Sequence, residues 1–130
     1  QEMSTLAQYR LPVKVFILNN QYMGMVRQWQ ELLHGGRYSE SYMDSLPDFV
    51  KLAEAFGAVG LRATKPSEVD QVIKQMIETP KAVIVDVCVD PKENCFPMVP
   101  SGAAHNEMIL GDEAGSGSQA RVTDAGLALV

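Results

Sequence analysis

Apolar residues follow two kinds of pattern along this chain. Val13 to Leu18 and Ala82 to Val89 are nearly continuous apolar runs rich in β-branched residues. That composition suits strands buried on both faces of a parallel sheet. Val59 to Ala63 is a shorter strand of the same kind. Elsewhere apolar residues recur at helical spacing. Met3, Leu6 and Ala7 mark Gln1 to Gln8 as the tail of a helix. Met25, Val26, Trp29, Leu32 and Leu33 predict a helix from Gly24 to about Leu33. Phe49, Leu52, Ala53 and Phe56 predict another after Pro47-Asp48, and Val69, Val72, Ile73, Met76 and Ile77 a further one.

The breaks between these stretches fit their neighbours. Pro12 ends the first helix, and Pro80 the last. His34-Gly35-Gly36-Arg37 stops the second helix, with Gly35 or Gly36 able to take a left-handed cap. Gly57 closes the third. Ser67 is the expected N-cap of the fourth, with Glu68 supporting its first turn. Tyr38 to Leu46 has no period and reads as a surface loop able to move. Asp90 to Asn94 is a polar turn, Phe96 to Gly102 an extended path with a flexible joint, and His105 to Leu110 one helical turn. From Gly111 the composition shifts to Gly, Ser, Asp, Glu and Ala, which predicts a disordered tail over 111–130. Strands alternating with helices predict an α/β fold with a parallel sheet and right-handed crossovers, with Val13 to Leu18 as its central strand. Three strands look like half of such a sheet.

Composition narrows the classes. The chain has 130 residues, one domain at most, with a formal charge of -5. An acidic balance argues against general nucleic-acid binding. No apolar run approaches the roughly 20 residues of a membrane span, and the amino end lacks a signal-peptide pattern. Cys88 and Cys95 form no metal or redox spacing and are expected to be free thiols. His34 and His105 are too isolated to make a metal site or a triad.

Asn19-Asn20 ends the first apolar run just ahead of a helix. In open α/β sheets that position carries ligand chemistry. Leu18-Asn-Asn-Gln-Tyr-Met-Gly-Met-Val-Arg-Gln-Trp29 resembles the second half of the thiamine diphosphate motif, and more specifically the large catalytic subunit of acetolactate synthase. His34-Gly-Gly-Arg-Tyr-Ser39, Pro47 to Gly57 and Pro97 to Ile109 resemble the same family, in order, and the likeness runs from the first residue to about Leu110.

The resemblance implies part of a doubly wound parallel sheet, the thiamine diphosphate-binding fold, with its amino-terminal half missing. The family's Gly-Asp-Gly signature, whose aspartate binds magnesium, does not occur in the sequence. The chain therefore reads as a carboxyl-terminal fragment: 1–95 a partial cofactor-binding domain, 96–110 an active-site lid segment, 111–130 the tail. By resemblance Asn20 supplies a side-chain oxygen to Mg2+ and Tyr22 a main-chain carbonyl. Tyr22 departs in side chain from some relatives, which a main-chain ligand tolerates. Gly24 and Met25 lie beside the diphosphate of the cofactor, and Met25, Val26, Trp29 and Ser101 line the substrate and inhibitor channel. Met25 fits equally well as a core side chain, Trp29 on period belongs to the buried helical stripe, and Arg27 reads as a solvated or ion-paired charge. Residues 35–44 and 97–109 resemble two segments that close over the site.

The implied activity is decarboxylation of pyruvate and condensation with pyruvate or 2-oxobutyrate, a transferase step in branched-chain amino-acid biosynthesis. Thiamine diphosphate and Mg2+ are the implied cofactors, with FAD bound by an upstream domain. The implied partners are 2-keto acids, further catalytic subunits in a homodimer or tetramer, and a regulatory small subunit, in a bacterial cytoplasm. No catalytic side chain is expected on the fragment, which is expected to be inactive alone. Two alternatives stand: a sister thiamine enzyme of the glyoxylate carboligase or pyruvate oxidase type, or a non-catalytic α/β interaction domain.

Overall fold

A computed structural model of the chain describes residues 1–111. The tail expected over 111–130 therefore lies outside the described residues beyond Gly111. Two compact units are present.

The first unit comprises Gln1–Gln21 and Asp44–Asp90. It holds α1 (Glu2–Tyr9), β1 (Lys14–Asn19), α3 (Phe49–Ala55), β2 (Val59–Ala63), α4 (Pro66–Glu78) and β3 (Val83–Cys88). The strands form a parallel sheet in the order β1-β3-β2. Lys14 lies opposite Val83 and Asn19 opposite Cys88, while Val59 to Ala63 run beside Val83 to Val87. This is the parallel α/β sheet expected from the sequence.

β3 is the inner strand, and its valines Val83, Val85 and Val87 form the core with Ala63. Val59, Leu61, Val69, Val72 and Met76 pack against that core, so α4 covers this face of the sheet. α3 covers the other. Gly60 points to α3, and a Cβ there would sit 2.6 Å from the Val50 carbonyl oxygen. Glycine is required because helix and strand meet backbone to backbone.

Two expectations are corrected here. Among the described residues β1 lies at the edge of the three strands rather than at their centre, and it is not buried on both faces: Phe16 and Leu18 are exposed, Leu18 at 67%. An apolar run records what a strand would tolerate around it, not what lies beside it. The cap of α4 also falls earlier than Ser67. Lys65 is the N-cap and Pro66 opens the helix, as suits a residue with fixed φ and no N–H. Glu68 reaches back to accept from the N–H groups of Thr64 (2.8 Å) and Lys65 (3.1 Å). Asp48 caps α3, accepting from the Val50 and Lys51 N–H groups.

Among the described residues the second unit comprises Tyr22–Met43 and the chain from Pro91 to Gly111. Its helix α2 (Gly24–Leu32) ends where Gly35 and Gly36 both take positive φ. An isolated antiparallel bridge joins Tyr22 to Tyr42, another joins Met98 to Ile109, and His105–Glu107 is a single 3₁₀ turn. No helix among the described residues is long and apolar enough to cross a membrane.

Candidate functional site

The carboxyl end of β1 is built by a chain of polar contacts within the first unit. Asp86, in the otherwise apolar β3, is only 2% exposed. A buried carboxylate is costly unless paired and hydrogen-bonded. Here one oxygen accepts from Arg62 Nε at 2.9 Å and the other from Asn19 Nδ2 at 2.9 Å. Arg62 Nη2 also donates to Asp48 Oδ1 at 2.8 Å. The Asp86 hydrogen bond, opposed by desolvation and aided by Asp48, holds the Arg62 guanidinium charged above its ordinary range. The Asn19 side chain then turns outward along the chain: its Oδ1 accepts the Gln21 N–H at 3.1 Å. Gln21 sits at φ 59, an uncommon conformation for a side-chain-bearing residue. Asn20 lies half-buried inside this turn.

The second unit orders α2 by its polar face. Arg27 is 7% exposed and pairs with Glu31 at 2.8 Å. Its guanidinium lies 5.5 Å from the Tyr22 ring centre and 5.3 Å from that of Tyr38, close enough for cation–π attraction. It also donates to the Lys92 carbonyl and to Asn94. Desolvation and then the Glu31 carboxylate push the Tyr38 phenol up, so it remains a neutral donor to Glu31. Gln28, 1% exposed, accepts from the Cys95 N–H at 2.7 Å and donates to the Cys95 carbonyl at 3.1 Å. Tyr22 is held by its bridge to Tyr42 and by ring contact with it at 5.2 Å between centres. The Met23 N–H donates to the Ser41 carbonyl.

The stripe expected to bury α2 divides: Leu33 is buried and Leu32 partly so, but its first half faces outward. Met25, Val26 and Trp29 are about half exposed, Trp29 at 46%. With Gln30 and His34 they line an open hollow of about 470 Å³. The structure thus gathers three of the four expected channel residues. Ser101 lies in an exposed turn and does not line that hollow. Gly24 opens α2, directly before Met25. Arg27 is ion-paired as one of its two sequence readings has it, but buried. Sequence reading missed Gln28 and Asp86. A single acid inside an apolar run was the available signal for Asp86. Cys88 and Cys95 are free thiols.

The residues fit a magnesium diphosphate in kind. Among the described residues no group of three or more His, Cys, Asp or Glu gathers to hold a metal. Magnesium is usually held by one or two carboxylates together with phosphate oxygens, so this chain would supply only the neutral oxygens of such a shell. The Asn20 amide and the Tyr22 carbonyl are oxygens of that kind. Met23, the N-cap of α2, gives no side-chain hydrogen bond, and no acid stands in the first turn. A helix amino end of this kind presents main-chain N–H groups to an anion.

Comparison with known proteins points to a thiamine diphosphate-binding domain. Residues 1–87 match the thiamine pyrophosphate enzyme C-terminal TPP-binding domain. The chain is 48% identical over 111 residues to the acetolactate synthase large subunit of Haemophilus influenzae, covering 85% of this chain and 19% of that protein. It is 49% identical over 113 residues to the acetolactate synthase isozyme 3 large subunit of Escherichia coli, covering 85% and 20%. The chain thus spans about a fifth of the length of these curated relatives. Among solved structures, a thiamine diphosphate-dependent 4-hydroxybenzoylformate decarboxylase from Rhodococcus jostii RHA1 superposes with a TM-score of 0.60 at 26% identity, over 68% of this chain and 16% of that one. With the family model covering residues 1–87, the chain belongs to the thiamine pyrophosphate enzymes, as their C-terminal TPP-binding domain.

Proposed function

We propose that the protein carrying this chain is an acetolactate synthase catalytic subunit, which decarboxylates pyruvate and condenses the product with pyruvate or 2-oxobutyrate. The observation that carries this reading is the outward apolar face of α2, which follows the Asn20–Tyr22 turn directly in the chain. A soluble helix that buries Arg27 and Gln28 while leaving Met25, Val26 and Trp29 exposed has an apolar surface to offer a ligand or partner.

In this reading Asn20 and Tyr22 hold Mg2+ through an amide oxygen and a main-chain carbonyl. Gly24 and Met25, at the amino end of α2, take the diphosphate side. Thiamine diphosphate, when bound, supplies the nucleophilic carbon and electron sink that decarboxylation and condensation require. The chain's own residues bind, orient and exclude water. Met25, Val26 and Trp29 form an apolar wall that favours the larger second keto acid. Residues 1–95 serve as the cofactor-binding domain, and the segments 35–44 and 96–110 close over it, bringing Ser101 to the channel and sheltering the reaction from water. No side chain here is assigned to acid–base chemistry, and FAD has no assigned residue on this chain. A homodimer or tetramer with a regulatory small subunit, in a bacterial cytoplasm, belongs to the same reading.

The test is a product assay on the intact protein with thiamine diphosphate, Mg2+ and FAD. Acetolactate is expected from pyruvate, and Trp29→Leu is expected to lower the share of product made from 2-oxobutyrate. Condensation of glyoxylate in preference to pyruvate would move the protein to a sister thiamine enzyme. No turnover of either keto acid would leave the interaction-domain reading.

A further inference from the structure

Asp86 is an expensive residue for the inner strand of a sheet, where an apolar side chain of similar size would fit without desolvating a charge. Arg62 alone would neutralise it. Yet only one carboxylate oxygen faces Arg62, and the other faces Asn19 on the neighbouring strand. The chemistry of that second contact is directional. A carboxylate only accepts, so the Asn19 amide must present its NH2 to Asp86 and its oxygen to the far side. The far side is the Gln21 N–H. That hydrogen bond closes a turn in which the main chain of Gln21 takes φ 59, and Asn20 is the residue enclosed. An uncharged amide at position 86 would let Asn19 flip and would leave the turn without a set direction.

We propose that Asp86 is a positioning residue for cofactor binding: through Asn19 it fixes the orientation of the Asn19–Gln21 turn and so of the Asn20 ligand. This rests on the magnesium reading of Asn20 given above. Arg62 and Asp48 complete the device. They tether the carboxylate to β2 and to the N-cap of α3, so the turn takes its orientation from the neighbouring strands and the start of α3. Residues that orient metal ligands in this way typically change metal affinity about 10- to 100-fold when removed.

The experiment uses the intact protein and two readouts. One is the Mg2+ concentration that half-saturates binding of labelled thiamine diphosphate, by equilibrium dialysis. The other is hydrogen exchange of the Gln21 amide without metal or cofactor. Asp86→Asn and Asn19→Ala are expected to raise the half-saturating Mg2+ about 10-fold or more and to speed Gln21 exchange. Val85→Ala, beside Asp86 in β3 but facing the apolar core, destabilises the sheet without touching the turn, and is expected to leave both readouts unchanged. Asn20→Ala separates the two levels of inference. A rise with Asn20→Ala but none with Asp86→Asn overturns the positioning role alone. No rise with Asn20→Ala overturns the magnesium reading and the positioning role with it. An equal rise with Val85→Ala shows general loosening of the strand, and also overturns the proposal.

Discussion

Helices α2 and α4 carry the same kind of apolar stripe and use it in opposite ways. α4 lays Val69, Val72 and Met76 on the valines of the sheet. α2 buries Arg27 and Gln28 and leaves Met25, Val26 and Trp29 half exposed. The difference lies in what each helix meets. The neighbours of α4 are apolar strand side chains, which reward apolar contact. Those of α2 are irregular main chain at Lys92 and Cys95 and the phenol of Tyr38, which require donors and acceptors. A stripe shows that a helix has two faces. The surroundings decide which one serves as the floor.

The largest expected effect that would break this contrast is at Gln28. Gln28→Ala removes both hydrogen bonds to Cys95 and leaves a cavity, costing about 2–4 kcal/mol. Hydrogen exchange should show the Cys95 and Met98 amides losing protection; wild-type protection would mean that the polar face of α2 is not what holds it. Next comes a matched pair of truncations. Val72→Ala on α4 should cost about 1–2 kcal/mol, whereas Val26→Ala on α2 should stay within about 0.5 kcal/mol. Equal midpoint shifts in urea would erase the distinction between the faces.

The smallest effect concerns the helix starts. The Thr64 N–H above all, then the Lys65 N–H, outweigh desolvation and hold the Glu68 carboxyl below its usual 4.5. A carboxyl depressed in the folded state adds stability above its unfolded pKa, and that contribution is lost as pH falls through the folded value. Acidification from roughly pH 5 to 3 should therefore loosen the start of α4, and Glu68→Gln should flatten that dependence in a melting series. α2 has no acid in its first turn and should show no counterpart.

What the sequence discloses follows the range of the forces involved. β2 spans Val59–Ala63 as its composition predicts, and the helix and strand order is likewise legible, because periodicity is local. The edge position of β1 is not, since it depends on which strand lies alongside. Ser67 looks like a cap by residue type, but Pro66 suits the first helical position and Glu68 can reach back. At the candidate site, the turn around Asn20 and the stretch to Trp29 are visible through family resemblance. Their anchors are not: Asn19 meets Asp86, and Gln28 meets Cys95, each across 67 positions of sequence. A pattern read over one or two turns has no access to such pairs.

The contact of Gly60 with Val50 adds a consequence for tolerance. Because α3 rests on β2 main chain to main chain, the spacing between them is a fixed datum rather than an adjustable fit. Side-chain size can be traded across an ordinary packed face, one residue growing as its partner shrinks. Here there is nothing to shrink. Any bulk at position 60 must lift the whole helix, and Asp48 at its tip would be carried away from Arg62. One missing methyl group thus calibrates a charge network that begins at a different residue altogether.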